Sequence, residues 1–199
     1  MAATSFMNGN AKTLAHTILG KLFKGNSYIS LLPYTSDGVT WANLDFAGAD
    51  EIFTLQDTFE IPQDDPSTTE IKIDQKSETI DTQEEPGAWN FNGTIPANCV
   101  EVIEVFYDKV LGTSSTGVSV KGQEGTAYAG ETFGMTPKSV YATILVESED
   151  KKEAIAFAKV KLTAKQTRDT DSGLLGVALS GTILANDKSG QGDFYRGSK

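Results

Sequence analysis

The chain has 199 residues, 39% of them hydrophobic, with one cysteine, one histidine and a formal net charge of −10. That length carries one large domain, or one domain with extensions, and can bury a core without disulfide staples. There is no apolar run long enough to span a membrane, no basic-then-apolar leader at Met1–Asn8, and an acidity that disfavours specific DNA binding. The lone Cys99 can close no internal disulfide, which suits a reducing compartment.

The charge is unevenly placed. Residues 45–85 carry 13 Asp or Glu against 2 Lys, whereas 151–199 has a net +4. The acidic stretch holds no His, Cys or Arg, so it suits repulsion of a polyanion or a fit to a basic patch on a neighbouring subunit.

In chain order, Ser27–Tyr34 is predicted as a strand stopped by the turn Ser36-Asp37-Gly38. Val39–Phe46 alternates as a second strand with Val39 and Trp41 inward, and Glu51–Leu55 as a third. Pro62–Pro66 is a loop. Thr69–Lys76 sets Ile71 and Ile73 against Glu70, Lys72, Asp74 and Lys76, the pattern of a half-exposed or edge strand. Ser77–Thr82 is its return partner. Trp89–Ile95 has strict period two, with Trp89, Phe91 and Ile95 inward.

Pro96-Ala97-Asn98 then introduces a helix over about 97–111. Asn98 is the expected N-cap, Val100, Ile103, Phe106, Tyr107 and Val110 form an apolar stripe, and Gly112 closes it. The Gly-rich stretch 112–138 is a loop or short strands around Val118–Val120 and Ala127–Ala129. Ser139–Glu147, Glu153–Thr163 and Leu174–Ala185 are strands, the first two joined by a charged turn at Glu149–Lys152. Leu175, Val177, Leu179 and Gly181 share one face of the last. Asp187–Lys199 is a polar tail.

No catalytic constellation emerges. Gly112–Gly117 has phosphate-loop spacing, but Val118 stands where the lysine is needed. Asp171-Ser172-Gly173 matches an aspartic-protease triplet, yet its polar flanks favour a turn. His16 has no second His for a metal site, and Cys99 has no neighbouring base. Asn92-Gly93-Thr94 fits a glycosylation acceptor but reads more simply as a turn. The pairs Asp64-Asp65 and Glu84-Glu85 lack calcium-loop spacing. No enzymatic activity, cofactor or metal is expected.

One resemblance rests on the order of elements. Trp89-Asn-Phe-Asn-Gly-Thr-Ile-Pro96 precedes a helix bearing Val100-Glu-Val-Ile-Glu-Val-Phe106. Tyr141-Ala-Thr-Ile-Leu-Val146, the turn Asp150-Lys151-Lys152, Ala154–Leu162 and Leu174–Leu184 follow. Over roughly 89–185 this pattern resembles the major tail (tail tube) proteins of long-tailed bacteriophages; the first 88 residues match less well. The resemblance implies a mainly β chain, a β-sandwich or half-barrel with one flanking helix, that completes a β-barrel ring on oligomerisation.

It also implies stacked, hexameric rings enclosing a tape-measure protein and met by a terminator. DNA passes through the lumen unbound, and the protein resides in the virion tail after synthesis in the host bacterial cytoplasm. On that basis the chain is one domain with an N-terminal arm (1–26), an acidic segment (45–85) and a C-terminal arm (186–199). Asp64, Asp65, Glu70, Asp74, Glu78, Asp81, Glu84 and Glu85 are the candidate lumen or inter-ring contacts, and Val100, Ile103, Phe106 and Tyr107 the helix-packing residues. The alternatives are another virion β-protein (head–tail joining, terminator or capsid decoration) or a soluble β-barrel ligand- or carbohydrate-binding module. The latter would line a pocket with Trp41, Trp89 or Tyr128.

Overall fold

The structure, a computed structural model, describes residues 28–55, 58–73, 76–96, 100–110, 118–119, 127–128, 131–168, 173 and 175–199. The expected N-terminal arm, Asp74, the Asn98 cap, Cys99, Gly112–Gly117 and Asp171-Ser172 lie outside them. The described chain is mainly β, with one short α-helix and antiparallel sheets.

Its spine is β11 (Glu153–Arg168), whose run of sixteen residues serves three partners. One edge pairs with β10 (Val140–Glu147), which in turn pairs with β1 (Tyr28–Pro33) and that with β2 (Asp50–Ile52). The other edge is shared end to end. Lys159–Arg168 pairs with β12 (Leu175–Leu184), and Glu153–Phe157 pairs with β13 (Phe194–Ser198). Beyond β12 lies β5 (Trp89–Ile95). Residues 186–199, expected as a polar tail and arm, therefore form a loop and a strand of the main sheet. Five residues suffice because the spine extends past the end of β12 and leaves backbone groups to pair.

A bulge divides the spine. Ala142 faces Val160 but Ile144 faces Phe157, so Thr143 opposes both Ala158 and Lys159. The extra residue reverses the side-chain phase, so Ile155 and Phe157 point the same way as Val160, Leu162 and Ala164. That common face meets Ile144, Val146, Val177, Leu179, Phe91 and Ile29 in one core. Thr143 tolerates burial by donating its hydroxyl to the Ala158 carbonyl at 2.8 Å.

The sheet curls. Ile52 pairs with Ile29 at one edge, while the Leu55 amide donates to the Thr94 carbonyl at the other, 2.8 Å away. Three intervening steps reach at most about 11 Å, so the two edges lie close without pairing directly. The chain then follows the free edge of β5 as a strap. Glu60 and Asn92 exchange both backbone bonds, the Asn90 amide donates to the Pro62 carbonyl, and the Asp64 amide donates to the Ala88 carbonyl. A half-barrel with a covered edge results.

The helix, α1 (Val100–Phe106), has seven residues, not the expected fifteen or so. Tyr107 leaves it to start β6 (Tyr107–Lys109), which pairs with β9 (Phe133–Pro137). Phe106 and Tyr107 are both buried, and the Tyr107 hydroxyl donates to the Ala164 carbonyl of the spine at 3.3 Å. Those anchors end the helical stripe before Val110, which is exposed. Ile103 packs partly buried against the core, as expected; the side chain of Val100 is not described.

The predicted second strand is absent. Residues 41–43 form a 3-10 turn, because backbone groups here bond to side chains of the C-terminal loop and no strand is available. The Val39 amide donates to Asn186 Oδ1 (2.9 Å), whose Nδ2 returns a bond to the Val39 carbonyl. Trp41 Nε1 donates to the Gly192 carbonyl, and its ring meets Tyr195. Gly38, at φ +74°, packs so closely that a Cβ would lie 2.4 Å from the Lys188 nitrogen. The short pair β7 (Val118–Ser119) and β8 (Ala127–Tyr128) falls where short strands were expected.

Candidate assembly surfaces

The acidic stretch supplies a hairpin that is separate from the half-barrel. β3 (Ser67–Ile73) and β4 (Lys76–Glu85) form their own two-stranded sheet, joined to no strand of the larger one among the described residues. Lys76 opens β4 and does not close β3. Every described side chain of 67–70 and 82–85 is exposed, on both faces. The half-exposed strand expected at Thr69–Lys76 is thus, over its described side chains, exposed on both sides. Over 67–70 and 82–85, polar residues on both faces leave nothing to bury against the barrel.

The register sorts the candidate residues. Glu70 opposes Thr82 and Glu84 opposes Thr68, so Glu70 and Glu84 share one face, while Glu85, opposite Ser67, points the other way. Glu78 and Asp81 belong to β4, but their side chains are not described. Asp64 and Asp65 sit at the hairpin's root, where the strap ends. Asn90 Nδ2 donates to Asp64 Oδ2 at 3.1 Å, and Asn92 Nδ2 donates likewise to Glu60 Oε1. The described carboxylates therefore spread over both faces of a protrusion and converge on no point. Among the described residues no three His, Cys, Asp or Glu side chains gather as a cation site.

The root is tight. A Cβ on Gly87 would fall 1.6 Å from the Asp64 carbonyl oxygen, so only glycine lets the strap pass there. The Asn92-Gly93-Thr94 triplet, expected as a turn, lies within β5, where Asn92 is committed to Glu60.

The outer face of β5, β12 and β11 carries polar side chains in cross-strand rows. Asn90, Thr182 and Lys161 make one row, and Asn92, Ser180 and Thr163 the next. They floor an open hollow of about 440 Å³ edged by Pro62 and Asp64. Lys161 and Lys165 are exposed there and hold no ion pair among the described residues. Trp41 and Trp89, considered as pocket aromatics, do not line this hollow. Trp89 instead meets Phe157 and Phe194; the side chain of Tyr128 is not described.

Lys159, at the spine's bulge, is already used. Its ammonium meets Asp187 at 2.7 Å and lies over the rings of Tyr34 and Tyr141. The Tyr34 hydroxyl donates to the same carboxylate at 2.8 Å. The Lys159 hydrogen bond, then that of Tyr34, holds the Asp187 carboxyl below its ordinary value, while Asp187 raises Lys159. Partial burial, followed by the bond to Asp187, raises Tyr34. This node ties β1's exit, β10, β11 and the C-terminal loop together. At the other end of β10, Ser148 donates to Asp150 at 2.7 Å and, with the Lys152 amide, lowers that carboxyl.

Sequence reasoning located the acidity but missed the strap, the lysine face and the C-terminal strand. The parity change between Phe157 and Val160 was the available signal for the bulge. Compared with known proteins, the chain matches no family profile and no curated sequence. No helix among the described residues is long and apolar enough to cross a membrane.

Proposed function

We propose that this chain is a structural subunit that assembles with copies of itself into stacked, hexameric rings forming a phage tail tube, through which DNA passes. The observation that carries the reading is the free-standing β3–β4 hairpin. A two-stranded sheet whose described side chains are exposed on both faces is marginal alone in water, so it gains order by meeting another surface. Its described faces carry Glu70, Glu84 and Glu85, and a face of opposite sign, with Lys161 and Lys165, stands on the same subunit's spine. A surface and its complement on one chain suit a head-to-tail contact, which repeats through a stack of copies. The order of elements from β5 to β12, resembling tail-tube subunits, supports the same reading.

In this assembly the half-barrel sheets of neighbouring subunits close the ring, and each hairpin reaches a subunit of the next. Negative-stain images of the purified protein test it, with open-ended tubes as the expected result. Glu84→Lys with Glu85→Lys, and separately Lys161→Glu with Lys165→Glu, are expected to leave single rings. The four changes together are expected to restore tubes. Protein that remains monomeric at all concentrations would overturn the proposal, and single rings from the unaltered chain would favour a terminator or connector.

A further inference from the structure

The strap that covers β5 presents an edge of its own. Glu60 and Asn92 exchange backbone bonds, the Pro62 carbonyl accepts from Asn90, and the Asp64 amide donates to Ala88. Glu60, Pro62 and Asp64 thus turn to β5, and Phe59, Ile61 and Gln63 turn their N–H and C=O groups the other way. None of those three makes a backbone bond among the described residues. A row of unpaired groups at two-residue spacing is a template for an added strand. The usual guards are missing. Pro62 stands at an inward position, so its absent N–H costs a bond toward β5 and leaves the outer row complete. No lysine lies in 58–64.

The side chains of the strap define what fits beside it. Phe59 packs edge-on against Phe91 and Ile61 packs against the core, so the row is held in place from the core face. On the outer face Glu60 and Asp64 are exposed, each held by one asparagine of β5. A strand laid along this row sets alternate side chains toward those two faces. Basic residues answer Glu60 and Asp64, and apolar ones extend the contacts of Phe59 and Ile61. An acidic strand meets like charge.

We infer that the outer edge of the strap takes up an extended segment of another protein in which lysine or arginine alternates with apolar residues. A single subunit presents this edge, so the inference stands apart from the tube. Hydrogen exchange on the dilute full chain, followed residue by residue by NMR, tests it with a short blocked peptide of alternating lysine and valine. The Ile61 and Gln63 amides are expected to exchange about tenfold more slowly with the peptide in excess, with β10 and β11 unchanged. A peptide alternating glutamate and valine is expected to leave them as they were.

Two variants sharpen the test. Gln63→Pro removes one outward amide while the Pro62 carbonyl and the Asp64 amide keep their bonds to β5. It is expected to remove the slowing at Ile61 without moving the urea midpoint. Glu60→Lys is expected to turn the preference toward the glutamate peptide. No slowing at either amide would overturn the inference, as would equal slowing by both peptides. Slowing on raising the protein concentration alone would assign the edge to a second copy and overturn the basic partner.

Discussion

The β11 spine and the β3–β4 hairpin are both long antiparallel elements, yet they are held by different physics. The spine alternates apolar and charged residues, shares both edges, and buries Phe157, Val160 and Leu162 almost completely. The hairpin, over its described side chains, buries nothing and is joined to no strand of the larger sheet. Its backbone bonds are made, but its described side chains add no hydrophobic gain to offset chain ordering. The spine is therefore specified within one chain, and in the assembly proposed above the hairpin is completed by a contact outside it.

The largest expected effect strikes the barrel. Phe91, fully buried opposite Gly181 and packed edge-on against Phe59, anchors the sheet where the strap crosses. Phe91→Ala is expected to cost about 3–5 kcal/mol, read from urea unfolding. A loss below 1 kcal/mol, on the order of a surface change, would break the contrast drawn here.

The junction comes next. Gly87→Ala forces the Asp64 carbonyl away and is expected to cost about 1–3 kcal/mol. Hydrogen exchange should show faster loss of the Asn90 amide, which bonds to Pro62 in the strap, with β10 and β11 unaffected. Faster exchange across the whole sheet would mean that strap and barrel are one unit.

Charge reversal at Glu84 and Glu85 sharpens the comparison from the other side. Folding stability should move by no more than about 0.5 kcal/mol, while stacking is lost. A stability loss comparable with that of Phe91→Ala would show the hairpin to be part of the fold.

The smallest effect is acid sensitivity. Asp187 and Asp150 have folded-state values held below the ordinary 3.8. The unfolded chain thus binds more protons in that range, and stability rises with pH there. Their contribution is present above the unfolded value and lost as pH falls through the depressed folded values. Asp187→Asn should flatten the dependence of Tm on pH below about pH 4, measured by circular dichroism. An unchanged slope would remove the Lys159 node from the forces binding the C-terminal loop to the barrel.

Local pattern was enough for β5, β10 and β12, because alternation on a half-buried strand is set by which residues avoid water. Ile71 and Ile73 made the same signal in β3, but alternation does not say which strands a strand will join. The helix was legible to Phe106 and then overread, since Tyr107 continues the stripe while its hydroxyl reaches Ala164. Val39 was correctly placed inward for the wrong element, as Asn186 satisfies its backbone from far along the chain. Trp41, offered for a pocket, is spent on Gly192 and Tyr195.

By itself, the sequence determined the mainly β character, the phase of the core strands and the concentration of acid in 45–85. Each is a property of neighbours in the chain, where water sorts side chains by period and charge adds up locally. Only the tertiary structure decided that 194–198 joins the spine, that 55–64 seals the β5 edge, and that the acidic hairpin stands apart. Those outcomes depend on which backbone groups remain unpaired after distant strands have met, and no local pattern carries that information.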